Sequence, residues 1–325
     1  MAPAKKMSRR EFVHYTAAGL AAASAGGLIG GCSRTTAPLP TRPLGATGME
    51  VSLLAFGGGS QFLRNEDGAW EPMLGRAVEL GVNYFDTSSS YQWEASMSSE
   101  ERYGEVLAPI RDRVFFATKF DSRDPTGMMR EFEESLRRMR TDYVDVLLIH
   151  AIVPEDDITA LEDGVYARMR RLKEEGSVRF IGFSSMDSAE RSREAIERLE
   201  FDVALLAMNP TRYGGFVEET LPAARAKNVG VLAMKVMRDI VGESATPDEL
   251  LRYALSQEGV ASALVGHHGM DTLQQNIEIV RAVTAADAGM AASEREGLES
   301  RLAGLAGPHA LCWACPGYTD GPISC

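Results

Sequence analysis

The sequence has no surplus of positive charge. Its 34 Lys and Arg stand against 46 Asp and Glu, giving a formal net charge of −12 and a pI near 5.0. That balance excludes a partner held by its phosphate backbone, since nucleic-acid recognition needs a basic face. Outside the N-terminus there is no run of eighteen or more apolar residues, which excludes a polytopic membrane fold. No G-x-G-x-x-G joins a first strand to a helix. Gly57-Gly58-Gly59 follows an apolar run, but its spacing is wrong, which weighs against a doubly wound dinucleotide fold. Cysteine is scarce too: Cys312, Cys315 and Cys325 lack the repeated spacing that a four-iron cluster takes. What remains is an ordinary globular composition, 45% hydrophobic and 25% charged over 325 residues, with ample material for a core.

The N-terminus reads as an address rather than as fold. Lys5, Lys6, Arg9 and Arg10 form a basic region, and an Ala/Gly-rich apolar stretch follows from Ala17 to Ile29. That order is the pattern of an export signal. The Arg9-Arg10 pair ahead of Phe12 resembles a twin-arginine signal, read by the twin-arginine export machinery and not used as an anchor. Leu28-Ile29-Gly30-Gly31-Cys32 resembles a bacterial lipobox, in which Cys32 is lipidated and becomes the first mature residue. The alternatives are a plain basic and apolar tail, or cleavage nearby and release. The expected layout is a signal over 1–32, a polar tether over 33–40, a barrel over 41–300 and a Cys-containing tail over 301–325. The expected location is the periplasmic side of the membrane, with Cys32 as the anchor.

From residue 40 onward, short and continuously apolar runs alternate with amphipathic ones. The runs fall at 52–57, 82–86, 114–119, 144–150, 180–184, 203–209, 229–235 and 261–266, and they read as strands buried on both faces. Between them, Met128 to Arg140 predicts a helix with Phe132, Leu136 and Met139 on one side. Ile158 to Glu175 predicts another, closed by Gly176, and Pro247 suits the first turn of a third. Eight strands alternating with helices over some 250 residues predict an α/β chain folded as a (β/α)8 TIM barrel. A doubly wound sheet is the alternative. The segment from Arg42 to Val51, with turn residues Gly45 and Gly48, predicts a hairpin closing the barrel floor.

Four polar residues interrupt the ends of these runs: Asp86 after N-Y-F, Lys119 after F-F-A-T, His150 after V-L-L-I, and Tyr91 five residues beyond Asp86. Barrels of this kind carry their chemistry at the C-terminal strand ends. Converging there, the ammonium and the imidazole can lower the proton affinity of the phenol, which can then protonate a carbonyl oxygen. Each residue alone also has a plain reading, as a helix cap, a loop aromatic, a rim charge or a satisfied core histidine.

At these residues the chain resembles the aldo/keto reductase superfamily. The likeness runs from about residue 41 to 285 through R-P-L-G-A-T-G-M-E-V-S, G-V-N-Y-F-D-T-S-S-S-Y, S-E-E-R-Y-G-E-V-L, F-I-G-F-S-S, V-L-A-M-K and V-G-H-H-G-M-D-T-L-Q-Q-N. It implies that Asp86, Tyr91, Lys119 and His150 form a catalytic tetrad with Tyr91 as general acid or base. It also implies a nicotinamide cofactor, NADP(H) ahead of NAD(H). Ser184, Ser185 and Asn209 would hold the carboxamide, Gly266 and the turn after it a phosphate, and Gln275 and Asn276 the adenosine end. The expected substrate is a small carbonyl compound or alcohol.

The chain departs from the family pattern in three places. His267-His268-Gly269 stands where many relatives carry Arg or Lys toward a 2′-phosphate. That pair suggests no metal site, because adjacent histidines point apart and no acidic third ligand is evident. The loop from Tyr91 to Ser99 is about five residues longer than usual, and its Trp93 and Met97 are candidates to shape the substrate pocket. In the tail, Cys325 with Cys312 or Cys315 suits a disulfide outside the cytoplasm. Two other functions compete with carbonyl reduction: a non-catalytic nucleotide-binding barrel acting as a sensor or assembly subunit, and electron transfer through a metal-loaded tail.

Overall fold

A computed structural model describes residues 38–237, 240–242, 244–283 and 290–305. The signal, the lipobox with Cys32 and the cysteines of the tail lie outside the described residues.

The strands are β1 (Thr41–Pro43), β2 (Glu50–Ser52), β3 (Leu54–Gly57), β4 (Tyr84–Asp86), β5 (Phe115–Phe120), β6 (Val144–Ile149), β7 (Val178–Ser185), β8 (Val203–Ala207), β9 (Gly230–Met234) and β10 (Val260–Val265). The last eight close into a parallel barrel in the order β10-β3-β4-β5-β6-β7-β8-β9. Helices run between them, so the expected (β/α)8 barrel is the fold and the doubly wound alternative falls. Closure leaves each of these strands paired on both sides and covered on its outer face, which is why the runs are continuously apolar.

Successive side chains of a strand alternate between faces, so parity decides what enters the barrel. Ala55, Tyr84, Ala117, Val146, Leu148, Val203, Leu205 and Leu232 pack together in one cluster, while the opposite parity packs against the helices in a second, larger core. Continuing the inner parity toward the C-terminal ends gives Gly57 on β3, Asp86 on β4, Lys119 on β5, and His150 just past β6. The rule that fills the barrel with Tyr84, Ala117 and Val146 therefore also delivers the three polar groups to its mouth.

The floor is the expected hairpin: β1 pairs antiparallel with β2, Arg42 opposite Val51. Leu44, Met49 and Val51 are buried with the inner cluster, and the Arg42 guanidinium donates to the carbonyls of Leu255 and Val260. Gly45 is required there. Its φ is +52°, and a Cβ would stand 2.3 Å from the Gly230 amide nitrogen. A cavity of about 560 Å³ opens beside this floor, lined by Thr47, Lys173, Asp202 and Lys227 among others. Lys173 there is paired with Asp202 at 2.7 Å, and the strand ends that carry the tetrad lie at the other end of the barrel.

Two helices follow their sequence signals closely. Pro125–Arg138 starts on the Asp124 cap, whose carboxylate accepts from the Gly127 amide at 2.7 Å. Pro247–Leu255 starts on a Thr246/Glu249 capping box. The helix expected over Ile158 to Glu175 is broken. A π-turn over Glu162–Tyr166, where Gly164 has φ −99° and ψ −107°, separates Ile158–Leu161 from Ala167–Glu175. The apolar period carries across the break, which is why the sequence reads as one helix. Gly176, at φ +83°, ends the helix as expected.

Candidate active site

The four polar residues converge. Lys119 and Asp86 are almost wholly buried, with Nζ 2.5 Å from Oδ2, and the ammonium also donates to the Thr87 carbonyl at 2.6 Å. Nζ lies 5.0 Å from the centroid of the Tyr91 ring. The His150 ring meets Tyr91 edge-on, with centroids 5.6 Å apart at 74°. Burial raises the Asp86 carboxyl above its usual range, and the Lys119 charge and hydrogen bond pull the other way. An ammonium in such a place needs its carboxylate, because an unpaired buried charge costs several kcal/mol. Asp86 Oδ1 has no hydrogen-bond partner among the described residues, so the pairing rests on Oδ2.

Scaffold residues that the sequence reading passed over fix each of these groups. Helix Ser99–Leu107 lies behind β4 and β5, where Tyr103 donates to the Asp86 carbonyl at 3.0 Å. Glu100 is fully buried and accepts from the Thr118 hydroxyl at 2.7 Å, one residue before Lys119. Burial pushes its carboxyl up against hydrogen bonds from Ser135 and Thr118. The turn before Tyr91 is tied to helix Pro125–Arg138: the Ser89 hydroxyl donates to Glu131, and Arg138 donates to the Ser89 carbonyl.

The long loop is a closed structure. The Ser99 amide donates to the Tyr91 carbonyl at 2.8 Å across its base, and the Ser96 hydroxyl reaches Asp67 at 3.1 Å near its tip. Trp93, in the left-handed region at φ +44°, stacks on Tyr91 with centroids 5.3 Å apart and planes inclined by 28°. Trp93 thus flanks the phenol ring. Met97 instead packs against the core between barrel and helices.

His150 has a partner not foreseen from sequence. Its Nδ1 is 2.6 Å from Asp121 Oδ1 and 3.3 Å from the Ser88 hydroxyl. Burial lowers the imidazole's proton affinity, with Lys119 adding to this and Asp121 opposing, so the ring is neutral at pH 7. Burial tends to raise the Asp121 carboxyl, but the bond to His150 outweighs it and holds Asp121 below the usual carboxylate range. The signal was available: Ala117, Lys119 and Asp121 share one parity.

The candidate cofactor residues ring the same mouth with different exposures. Ser184 and Ser185 are buried and brace the segment after β6. The Ser184 hydroxyl accepts from the Ala151 amide at 2.8 Å, and the Ser185 hydroxyl donates to the Ile152 carbonyl at 2.7 Å. Asn209 donates to the Lys235 carbonyl at 3.2 Å and accepts from Thr211. Gly266 follows β10 and is half-buried; Gln275 is exposed and Asn276 is buried, with its amide 3.3 Å from His267 Nδ1. The two histidines do point apart. His268 is exposed, whereas His267 is buried against Phe56, its rings 5.2 Å away, and desolvation lowers its pKa to about 3.

These surroundings fit a dinucleotide. Helix Met270–Ala282 starts at Gly269 with no side-chain cap, and a Cβ on Gly269 would meet nothing within 4 Å. The Gly269 amide donates to Asn65 at 2.9 Å, and the uncapped first turn that follows carries the helix dipole that favours an anionic phosphate, while Asp271 in that turn opposes it.

Residues 54–239 match the Aldo/keto reductase family. The chain is 26% identical over 287 residues to the uncharacterized oxidoreductase YqkF of Bacillus subtilis (strain 168), spanning 74% of this chain and 91% of that one. It is 26% identical over 284 residues to L-galactose dehydrogenase of Arabidopsis thaliana, spanning 74% and 87%. Among solved structures, aldo-keto reductase AKR11C1 from Bacillus halodurans in its holo form aligns with a TM-score of 0.66 over 81% of this chain and 96% of that one. At 22% identity that likeness speaks for the fold alone. With more than half of its length matched, on a barrel of the same closure, the chain belongs to the aldo/keto reductase family and is an NAD(P)H-dependent oxidoreductase.

Proposed function

We propose that the protein reduces the carbonyl of a small aldehyde or ketone, or runs the reverse alcohol oxidation, with Tyr91 as general acid or base. The observation that carries this reading is the Lys119 ammonium, bonded to buried Asp86 and 5.0 Å from the Tyr91 ring. The reduced nicotinamide, when bound, supplies the hydride to the carbonyl carbon. Tyr91 gives its phenolic proton to the carbonyl oxygen, and the negative charge left on its phenolate is stabilised by Lys119. Asp86 holds that ammonium in place, and Trp93 stacks on the phenol ring.

Ser184, Ser185 and Asn209 lie where the carboxamide end would sit, with Gly266, Gln275 and Asn276 toward the phosphate and adenosine end. We propose NADP(H) ahead of NAD(H). Among the described residues of this turn, exposed His268 is the basic side chain that a 2′-phosphate could meet, with Asp271 against it. The preference is therefore expected to be under about tenfold, or ~1.4 kcal/mol. Oxidation of NADPH and of NADH against a panel of aldehydes and ketones tests both claims. Turnover on no carbonyl would overturn the reading, and a hundredfold cofactor preference would overturn the selectivity.

Export through the twin-arginine machinery and lipid anchoring at Cys32 belong to the same proposal, supported by Arg9-Arg10 and by Leu28 to Cys32. Replacing Arg9 and Arg10 by Lys should hold the protein in the cytoplasm, and Cys32→Ser should abolish labelling by a fatty acid. Normal export and labelling in those variants would remove both claims.

A further inference from the structure

Asp121 is not one of the four tetrad positions, yet its carboxylate makes the shortest contact to His150, 2.6 Å at Nδ1. A carboxylate only accepts hydrogen bonds, so the proton between them belongs to Nδ1. Asp121 is also rigidly presented. Its amide donates to Glu131 at 2.8 Å, and Arg123 donates to its carbonyl at 3.2 Å. The same Arg123 donates to the His150 and Ala151 carbonyls and is paired with Asp156 at 2.8 Å. One guanidinium thus fixes both partners of the contact. The His150 side chain is 3% exposed and that of Asp121 34%, so the carboxylate joins a buried ring to the solvent edge.

We propose that Asp121 is a positioning residue that holds neutral His150 as its Nδ1–H tautomer. Nε2 then accepts a hydrogen bond within the site, and it donates one to a carbonyl only when the ring is protonated. This rests on the carbonyl-reductase reading and deepens it by separating the two directions of reaction. A neutral ring accepts from a hydroxyl, which suits a bound alcohol. The imidazolium, balanced by Asp121, donates to a carbonyl oxygen, which suits a bound aldehyde or ketone. Tyr91 remains the group that delivers the proton. The charged and titratable groups facing the ring are Asp121 and Lys119 from β5 and the loop after it, Asp86 from β4, and Tyr91 from the loop beyond β4. Arg123 adds its charge at the His150 carbonyl. Asp121 is the acid among them that touches the imidazole, so removing it selectively weakens the protonated form.

The test compares wild type with Asp121→Asn and Asp121→Ala by two readouts. The first is the nitrogen-15 spectrum of imidazole-labelled protein, with the His150 signals assigned by His150→Gln. Wild type at pH 8 should show a protonated Nδ1 and a bare Nε2, and Asp121→Ala should move the proton to Nε2. The second is kcat/KM for one ketone and its alcohol from pH 5 to 9 at saturating cofactor. In wild type, ketone reduction should fall about tenfold per pH unit above its inflection while alcohol oxidation does not. In both variants that inflection should move down by at least about one unit, with KM for the ketone rising and cofactor affinity unchanged. A wild-type spectrum with the proton on Nε2, or variants that leave both tautomer and inflection in place, would overturn the proposal. Failure of the reductase reading looks different: the spectrum would still report Nδ1–H, and no carbonyl would be turned over.

Discussion

His267 gives a prediction that needs no substrate. The ring is fully buried against Phe56 with Nδ1 3.3 Å from the Asn276 amide, and Nε2 has no partner among the described residues. Desolvation lowers its pKa from 6.5 to about 3. The folded form thus refuses a proton that the unfolded chain accepts below 6.5. For a base whose folded pKa is depressed, the stability is complete above the unfolded value and is lost as pH falls toward the folded one. Each pH unit in that window costs about 1.4 kcal/mol, so roughly 3 kcal/mol disappears between pH 6.5 and 4.5. His267→Gln removes the titration while keeping a polar group for Asn276. At pH 8 the variant should be less stable by about 1–2 kcal/mol, from imperfect packing. On acidification the gap should close and then reverse, because the variant lacks the proton-linked loss. Buried His150 titrates with the same sign but is present in both proteins, so it cancels in the difference. Urea unfolding at pH 8, 6 and 5 reads this directly. A gap that stays constant over that range would show that His267 is hydrated or protonated in the folded state.

Other perturbations have equally definite outcomes. Lys119→Met leaves the Asp86 carboxylate buried without its ammonium and should cost about 3–5 kcal/mol in chemical denaturation, besides abolishing turnover. Adding Asp86→Leu should restore most of the stability and none of the activity, and a double variant as unstable as the single one would contradict the pairing. Trp93→Ala removes the ring stacked on Tyr91, a contact worth about 0.5–1.5 kcal/mol. It should change kcat/KM about two- to tenfold, unequally across carbonyl substrates, while cofactor affinity by fluorescence titration stays put. Uniform values across the panel would make Trp93 a bystander.

The barrel was legible because its physics is local. Runs such as V-A-L-L-A over Val203–Ala207 can be continuously apolar only if both faces are covered, and the alternation with amphipathic segments fixes the parallel connection. Parity then carried Asp86, Lys119 and His150 to one mouth. What was not legible depends on contacts between distant residues. Nothing near Gly164 announces that the chain widens into a π-turn there, since the apolar spacing continues on both sides. Asp121 carries no mark in the sequence, because its partner lies 29 residues away and only the pairing of β5 with β6 brings them together. The opposite fates of His267 and His268 likewise depend on helix Met270–Ala282 placing Asn276 beneath the turn.

The most direct test of the central claim is single-turnover reduction of a good carbonyl substrate by Tyr91→Phe, with nucleotide affinity measured on the same sample. With the Tyr91 proton lost and the ring retained, hydride transfer should slow by about 10²–10⁴-fold, and NADPH should bind as in wild type. A rate within a few-fold of wild type, with nucleotide bound, would show that another group supplies the proton.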